Sequence, residues 1–278
     1  SVYESAGAIW FVESTDNGIT WLPEKLLSDL PDANRTYKNP AISVDNSGNP
    51  HVVYEELYTD GTTTYYHLDY LWRDPVYGWS GVDELNANLS PSYSTSEQIP
   101  SITAAGRVAV AWIRYGKISV AIKGDPTWRF STAGEFTNCE FPSIYSMSPS
   151  VTYVVWADGA TADKDIYRQV FNFDQVTGIT PGSRINISST YTYLTQCNHP
   201  SITFDGGSLF LAFSAIDSRY SIQPTRSINL FVIYLANSST TYSSRASSGL
   251  IYDYPSVSIN SEGKANIVFS DITNNNSM

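Results

Sequence analysis

Apolar and polar positions alternate along most of this chain in short runs, and one pattern of them recurs. Pro40–Tyr54 (P-A-I-S-V-D-N-S-G-N-P-H-V-V-Y) predicts a short strand, a polar turn carrying Asp45, Asn46 and Gly48, and a second strand closing on an aromatic residue. Pro100-Ser-Ile leads in the same way to Trp112, Pro142-Ser-Ile to Trp156, Pro200-Ser-Ile to Phe213 and Pro255-Ser-Val to Phe269. Each proline precedes its aromatic by 12 to 14 residues, and successive prolines stand 60, 42, 58 and 55 apart. The second strands are nearly continuous apolar runs (VVY, VAVAW, YVVW, LAF, IVF), as expected of strands buried on both faces. No window sustains a helical stripe, and the best helical candidate, Pro23–Leu30, is short. Repeats of this length, each with several strands, predict an all-β fold of the β-propeller type.

The strands group into units at 40–88, 100–133, 142–188 and 200–245, each with four strands. The last unit, 255–270, supplies only two, and the chain begins with a hairpin over 7–13 and 19–24 that has no partner before it. Residues 255–270 plus 7–28 therefore predict one blade closed by both termini. The expectation is a single domain over 1–278, a five-bladed propeller whose closure removes exposed sheet edges.

Ser14–Trp21 reads S-T-D-N-G-I-T-W. Asp16 is placed to cap a turn, Gly18 to supply a positive φ, and Trp21 to bury beneath the hairpin. The stretch resembles the Asp box of bacterial neuraminidase repeats, found in sialidase-like propellers. Asp74–Trp79 and Asp125–Trp128 look like worn copies. The resemblance implies a turn between third and fourth strands, on the face away from any ligand. It does not imply sialidase chemistry, which uses three clustered arginines, a Tyr nucleophile with its Glu, and six blades. Only Arg114 and Arg219 fall on the ligand face here, and the F/Y-R-I-P motif is absent.

Composition narrows the partners. Net charge is −11, from 27 acidic and 16 basic residues, which excludes the basic face that nucleic acid requires. No apolar run approaches the roughly 20 residues of a membrane span. A chain starting at Ser1 without an initiator Met is compatible with a processed, secreted product or a trimmed one. Acceptor triplets at Asn34, Asn88, Asn186, Asn237 and Asn275 point the same way, toward an extracellular or cell-surface glycoprotein. Cys139 and Cys197 each stand three residues before a repeat proline, so a disulfide between adjacent blades is expected.

Residues just after the second strands and just before the first strands should converge on one face. The former are Glu55, Glu56, Arg114, Asp158, Asp217, Arg219 and Asp271; the latter are Lys38, Glu97, Glu140, His199 and Asp253. Glycoside hydrolysis needs two carboxyls about 5–5.5 or 6.5–9.5 Å apart, and Glu56, Asp158 and Asp271 are the candidates. Lys38, Glu97, Arg114, Glu140, His199 and Asp253 are candidates for ligand binding, and Tyr58, Tyr93, Tyr115 and Tyr220 for stacking on sugar rings. His51, His67 and His199 lack metal-ligand spacing, so neither a metal nor another cofactor is expected. The residues favour a non-catalytic extracellular interaction module, binding carbohydrate or copies of itself in a surface assembly or filament. The alternative is a glycoside hydrolase with its carboxylates on the loop face.

Overall fold

The computed structural model describes residues 1–89, 94, 98–133, 138–159, 164–219, 226–234, 240–245, 251–260 and 262–272. Within them the chain folds into antiparallel sheets taken in sequence order. The N-terminal sheet holds β1 (Val2–Ser5), β2 (Ala8–Phe11) and β3 (Lys25–Leu26). The second holds β4 (Arg35–Val44), β5 (Pro50–Asp60), β6 (Thr63–Asp74) and β7 (Gly78–Trp79), with β8 (Asp83–Glu84) also paired to β6. The third is β9 (Ser101–Thr103), β10 (Ala109–Arg114), β11 (Lys117–Lys123) and β12 (Trp128–Ala133). The fourth is β13 (Glu140–Ser148), β14 (Val151–Asp158), β15 (Asp165–Asp174) and β16 (Gly178–Asn186). The fifth is β17 (Leu194–Phe204), β18 (Ser208–Asp217), β19 (Arg226–Tyr234) and β20 (Thr240–Arg245), and the sixth is β21 (Tyr252–Ile259) with β22 (Ala265–Asp271). One turn of 3-10 helix, Leu85–Asn88, is the helical element among the described residues.

First strands touch first strands. β4 meets β9, β9 meets β13, β13 meets β17, and β17 meets β21. The first strand of each meander therefore lies at the centre and the later strands run outward, which is the propeller arrangement.

The apolar runs of the second strands now have their explanation. Because side chains alternate across a strand, one central strand feeds two cores. Val52 and Tyr54 pack with Ile9, Tyr37 and Leu71, while Val53 packs with Leu68, Tyr70, Val110 and Trp112. Ala109, Ala111 and Ile113 then face Val154 and Trp156, while Val155 and Ala157 face Leu211 and Phe213. The closing aromatics Tyr54, Trp112, Trp156 and Phe213 are fully buried. Phe269 is only partly buried and lies edge-on to Tyr252, with ring centroids 4.8 Å apart.

An innermost strand has a row of backbone groups with no strand beside it. The repeat serine meets this need across the gap between sheets. Ser101 Oγ accepts from Ile144 N at 3.3 Å, Ser143 Oγ from Ile202 N at 3.2 Å, and Ser201 Oγ from Val257 N at 3.1 Å. Ser43 Oγ accepts likewise from Ala104 N at 2.9 Å, and Thr103 Oγ1 from Ser146 N at 3.2 Å. The Pro-Ser-Ile phrase is thus an inter-sheet staple: its serine accepts from the next sheet, and the residue after that serine donates to the previous one. Glycine serves the same close packing at Gly106, where an added Cβ would lie 2.8 Å from the Ser148 backbone.

Three expectations are corrected. Cys139 and Cys197 are buried and not disulfide-bonded. Equivalent positions in successive sheets fall into different cores, Cys139 beside Ile118 and Trp156, and Cys197 beside Leu194 and Phe213, so no bridge forms. Among the described residues the hairpin over 7–13 and 19–24 is not hydrogen-bonded to the sheet of β22. β2 is flanked by β1 on one edge and β3 on the other, and β1, unforeseen in the sequence, fills the edge assigned to the strand ending at Phe269. A count of five blades takes the two terminal sheets as one, and by hydrogen bonding they are two. Trp21 is 55% exposed rather than buried, because the outer strand begins only at Lys25 and Ile19–Leu22 lie at the rim. The turn itself is as expected. Asp16 carboxylate oxygens accept from Thr20 N at 2.8 Å and Thr20 Oγ1 at 2.6 Å, and Gly18 has φ 86°.

Ser143→Ala and Ser201→Ala each leave an inner-strand N–H without its acceptor. Each should cost about 1 kcal/mol in urea unfolding, whereas Ser47→Ala in an exposed turn should cost nothing measurable. A loss for Ser47→Ala equal to that of the other two would refute the staple. Asp69 gives a pH test. It is buried on β6, and burial first, then Glu56 and Glu84, push its carboxyl up to about 8. A raised folded pKa means the native state holds a proton the unfolded chain releases near pH ~4, so stability falls as pH rises from about 4 through 8. Asp69→Asn should flatten that decline in melting curves recorded across the range.

Candidate functional site at the axial mouth

The residue immediately before each repeat proline is left-handed. Asn39, Ile99, Phe141, His199 and Tyr254 have φ of 50°, 43°, 51°, 48° and 53°. Four of these sites coincide with register breaks in the innermost strand, at Lys38/Ala41, Glu140/Ser143, Asn198/Ser201 and Asp253/Ser256. This is a bulge repeated at the same height, and bulges re-aim a side chain. Non-glycine residues in this conformation are strained, and such strain gathers at ligand-binding positions.

Three of the re-aimed side chains meet ring against ring in a tilted row. The His199 ring lies 4.0 Å, centroid to centroid, from both Phe141 and Tyr254. Tyr254 is 57% exposed, so the row has an open aromatic end. Beneath it Asp253 Oδ1 accepts from Ser214 Oγ at 2.6 Å and from Tyr254 N at 2.9 Å, and lies 2.6 Å from His199 Nδ1. Arg226 Nε stands 3.8 Å from Oδ2. Burial works to raise the Asp253 carboxyl, but the hydrogen bonds from His199 and Ser214 outweigh it and hold the group below the usual carboxylate range. Ser214 is fully buried and donates to Asp253, so these three residues are no nucleophilic triad.

Glu55 occupies the corresponding height in the second sheet. It is fully buried, accepting from Asn39 Nδ2 at 2.8 Å, from Ile99 N at 3.1 Å and from Gln98 N. Asp217, also fully buried, is clasped by Arg219, whose guanidinium sits 4.0 Å above the Tyr193 ring.

The other expected site residues disperse. Glu56 turns away from Glu55 and pairs with Arg35 at 3.2 Å. Asp158, at the end of β14, is 2% exposed, and its Oδ2 accepts from the Cys139 thiol at 3.5 Å. Burial raises its carboxyl, partly offset by that thiol and by Trp156. Asp271 is exposed, opposite Tyr252 in register. Lys38 lies 5.2 Å above Tyr66, and Glu140 pairs with Lys164 at 2.5 Å. Arg114 lies 5.1 Å from the Tyr115 ring, which is 46% exposed. Tyr58 stacks on Tyr65. Glu97, Tyr93, Tyr220, Asn237, Asn275 and the side chain of Asn88 lie outside the described residues. Among the described residues, His199 is brought to Asp253 and Arg219 to Asp217. Phe141 and Tyr254 were missed, because the αL twist moves the mouth to the residue directly before the proline. The proline was the available signal.

The fold defines the class: a β-propeller. Comparison with solved structures agrees. The intramolecular trans-sialidase from Ruminococcus gnavus superposes with TM-score 0.56 at 12% identity, over 94% of this chain and 83% of that one. The Penicillium chrysogenum alpha-L-arabinanase gives TM-score 0.53 at 15% identity, over 84% and 74%. A Trypanosoma rangeli sialidase mutant gives 0.53 at 10% identity, over 96% of this chain and 48% of that one. No sequence-family model and no curated protein matches the chain. At these identities the likeness is one of fold.

The thiols offer a check on the packing around Asp158. Burial, before the neighbouring acids, pushes both Cys139 and Cys197 up to about 12, so neither should react with a thiol reagent in the native protein at pH 8. Both should react at once in guanidinium without reductant. Fewer than two equivalents there would restore the disulfide.

Proposed function

We propose that this chain is a carbohydrate-active propeller of glycoside-hydrolase type that takes its sugar at the axial mouth. The observation that carries it is the row of tilted rings Phe141–His199–Tyr254, presented by strained backbone over an ionised, hydrogen-bonded Asp253. Aromatic faces pack against the apolar faces of sugar rings, and a carboxylate with an adjacent histidine anchors hydroxyls. The enzymes with this fold named above make carbohydrate the first ligand class to test.

Hydrolysis needs one carboxyl kept protonated and one kept ionised. Burial favours the protonated state at Asp158, and hydrogen bonding the ionised state at Asp253. In this reading Asp253 is the ionised carboxylate at the mouth, while Asp158 lies apart from it beside Cys139. Binding without turnover is the second reading, favoured by the near-complete burial of Asp158 and of Glu55.

The test is a panel of arabinan, xylan and sialylated oligosaccharides, scored for both binding and released sugar. Tyr254→Ala should weaken binding about tenfold or more, the loss of one stacking contact. Asp253→Asn should abolish turnover while binding persists. Binding without release in the unmodified protein selects the second reading, and binding unaffected by Tyr254→Ala removes the axial mouth as the site. An extracellular setting belongs to the same proposal. Asn34 is exposed and open to glycosylation, whereas Asn186 uses its amide to bond Asp165 and Tyr167.

A further inference from the structure

The N-terminal sheet packs on the second sheet through one face. Ile9 enters a core with Tyr37 and Val52, and Phe11 lies edge-on to Trp79, with ring centroids 5.1 Å apart. Side chains alternate across a strand, so the other face carries Tyr3, Ser5, Ala8 and Trp10. Tyr3 stands directly opposite Trp10 in register, and Ser5 opposite Ala8. With Glu24 and Leu30 they line a cavity of about 400 Å³. Ala8 is buried and Leu30 is 68% exposed, so the cavity reaches from the sheet to solvent. Glu24 alone among the lining residues is charged. The Tyr3 phenol donates to its carboxylate, and that bond first, then burial, raises the phenol above its usual range. Two cations of the same segment are directed elsewhere. The Ser1 ammonium donates to Val12 O at 2.7 Å, and Lys25 stands opposite Phe11, on the other face.

We propose that this cavity binds a small organic ammonium ion. Its lining joins two aromatic rings to one carboxylate, so its complement is a positive charge with an apolar skin. Trp and Tyr rings attract an ammonium through their quadrupoles, Trp the more strongly. Glu24 supplies the opposite charge, and Leu30 covers the methyl groups. A neutral sugar is the poorer match, because the phenol proton is already given to Glu24 and the charge would go unanswered. A volume of about 400 Å³ falls within the range of small-molecule sites. The site shares no residue with the axial mouth and does not rest on that reading.

The experiment is isothermal titration calorimetry on the full chain with choline chloride, its uncharged carbon analogue dimethylbutanol, and glucose. Choline should bind saturably, and the two neutral titrants should not. Glu24→Gln should weaken choline about tenfold, the loss of one water-screened charge pair. Trp10→Ala should weaken it by about as much. Glu24 is exposed, so Glu24→Gln carries the test should Trp10→Ala fail to fold. Dimethylbutanol binding as tightly as choline would show a merely apolar hollow, and glucose doing so a sugar site. Either result overturns the proposal, as does choline that fails to bind or binds Glu24→Gln undiminished. A second copy seated on this face would appear in sedimentation as a dimer that Trp10→Ala dissolves, and would also overturn it.

Discussion

The fold depends on how the inner edge of each sheet is satisfied. An innermost strand lies where no further strand can pair with it, and its N–H groups are shielded by neighbouring sheets. Ser43, Ser101, Ser143 and Ser201 place a hydroxyl acceptor at that edge from the sheet before. Each bond is modest alone. Repeated between successive sheets it fixes their relative height, and that height decides which side chains meet at the axis.

The same short phrase does the second job. Proline cannot donate at the position where the inner strand bulges, and the residue before it is turned into the left-handed region. The bulge brings Phe141, His199 and Tyr254 into one row and sets Asp253 under it. Stability and site therefore share one segment. The serine after the proline ties the sheet to its neighbour, and the residue before it faces the mouth.

Two fully buried acids are each held by partners. Glu55 accepts from two backbone N–H groups and one amide, and Asp217 is held by Arg219. Lys123 is lowered by burial and lies 4.6 Å above Tyr70 and 5.1 Å from Trp128. Glu55 and Asp253 are hydrogen-bonded across sheet gaps, where they act as further staples.

Much of this was legible in the sequence for a physical reason: strand alternation, turn residues and the repeated proline act locally. The all-β meanders, the propeller class, the buried aromatics Tyr54, Trp112, Trp156 and Phe213, and the Asp16 turn all follow from neighbours along the chain. What depends on distance through space was not legible. The partner of the repeat serine is 43 residues away for Ser101 and 59 for Ser143. Cys139 and Cys197 are equivalent in the repeat yet enter different cores, and β1 takes the edge that pattern alone assigned to β22. At Lys38 and Glu140 the residue singled out stands one before the left-handed residue, because only the tertiary bulge decides which side chain near the proline turns inward.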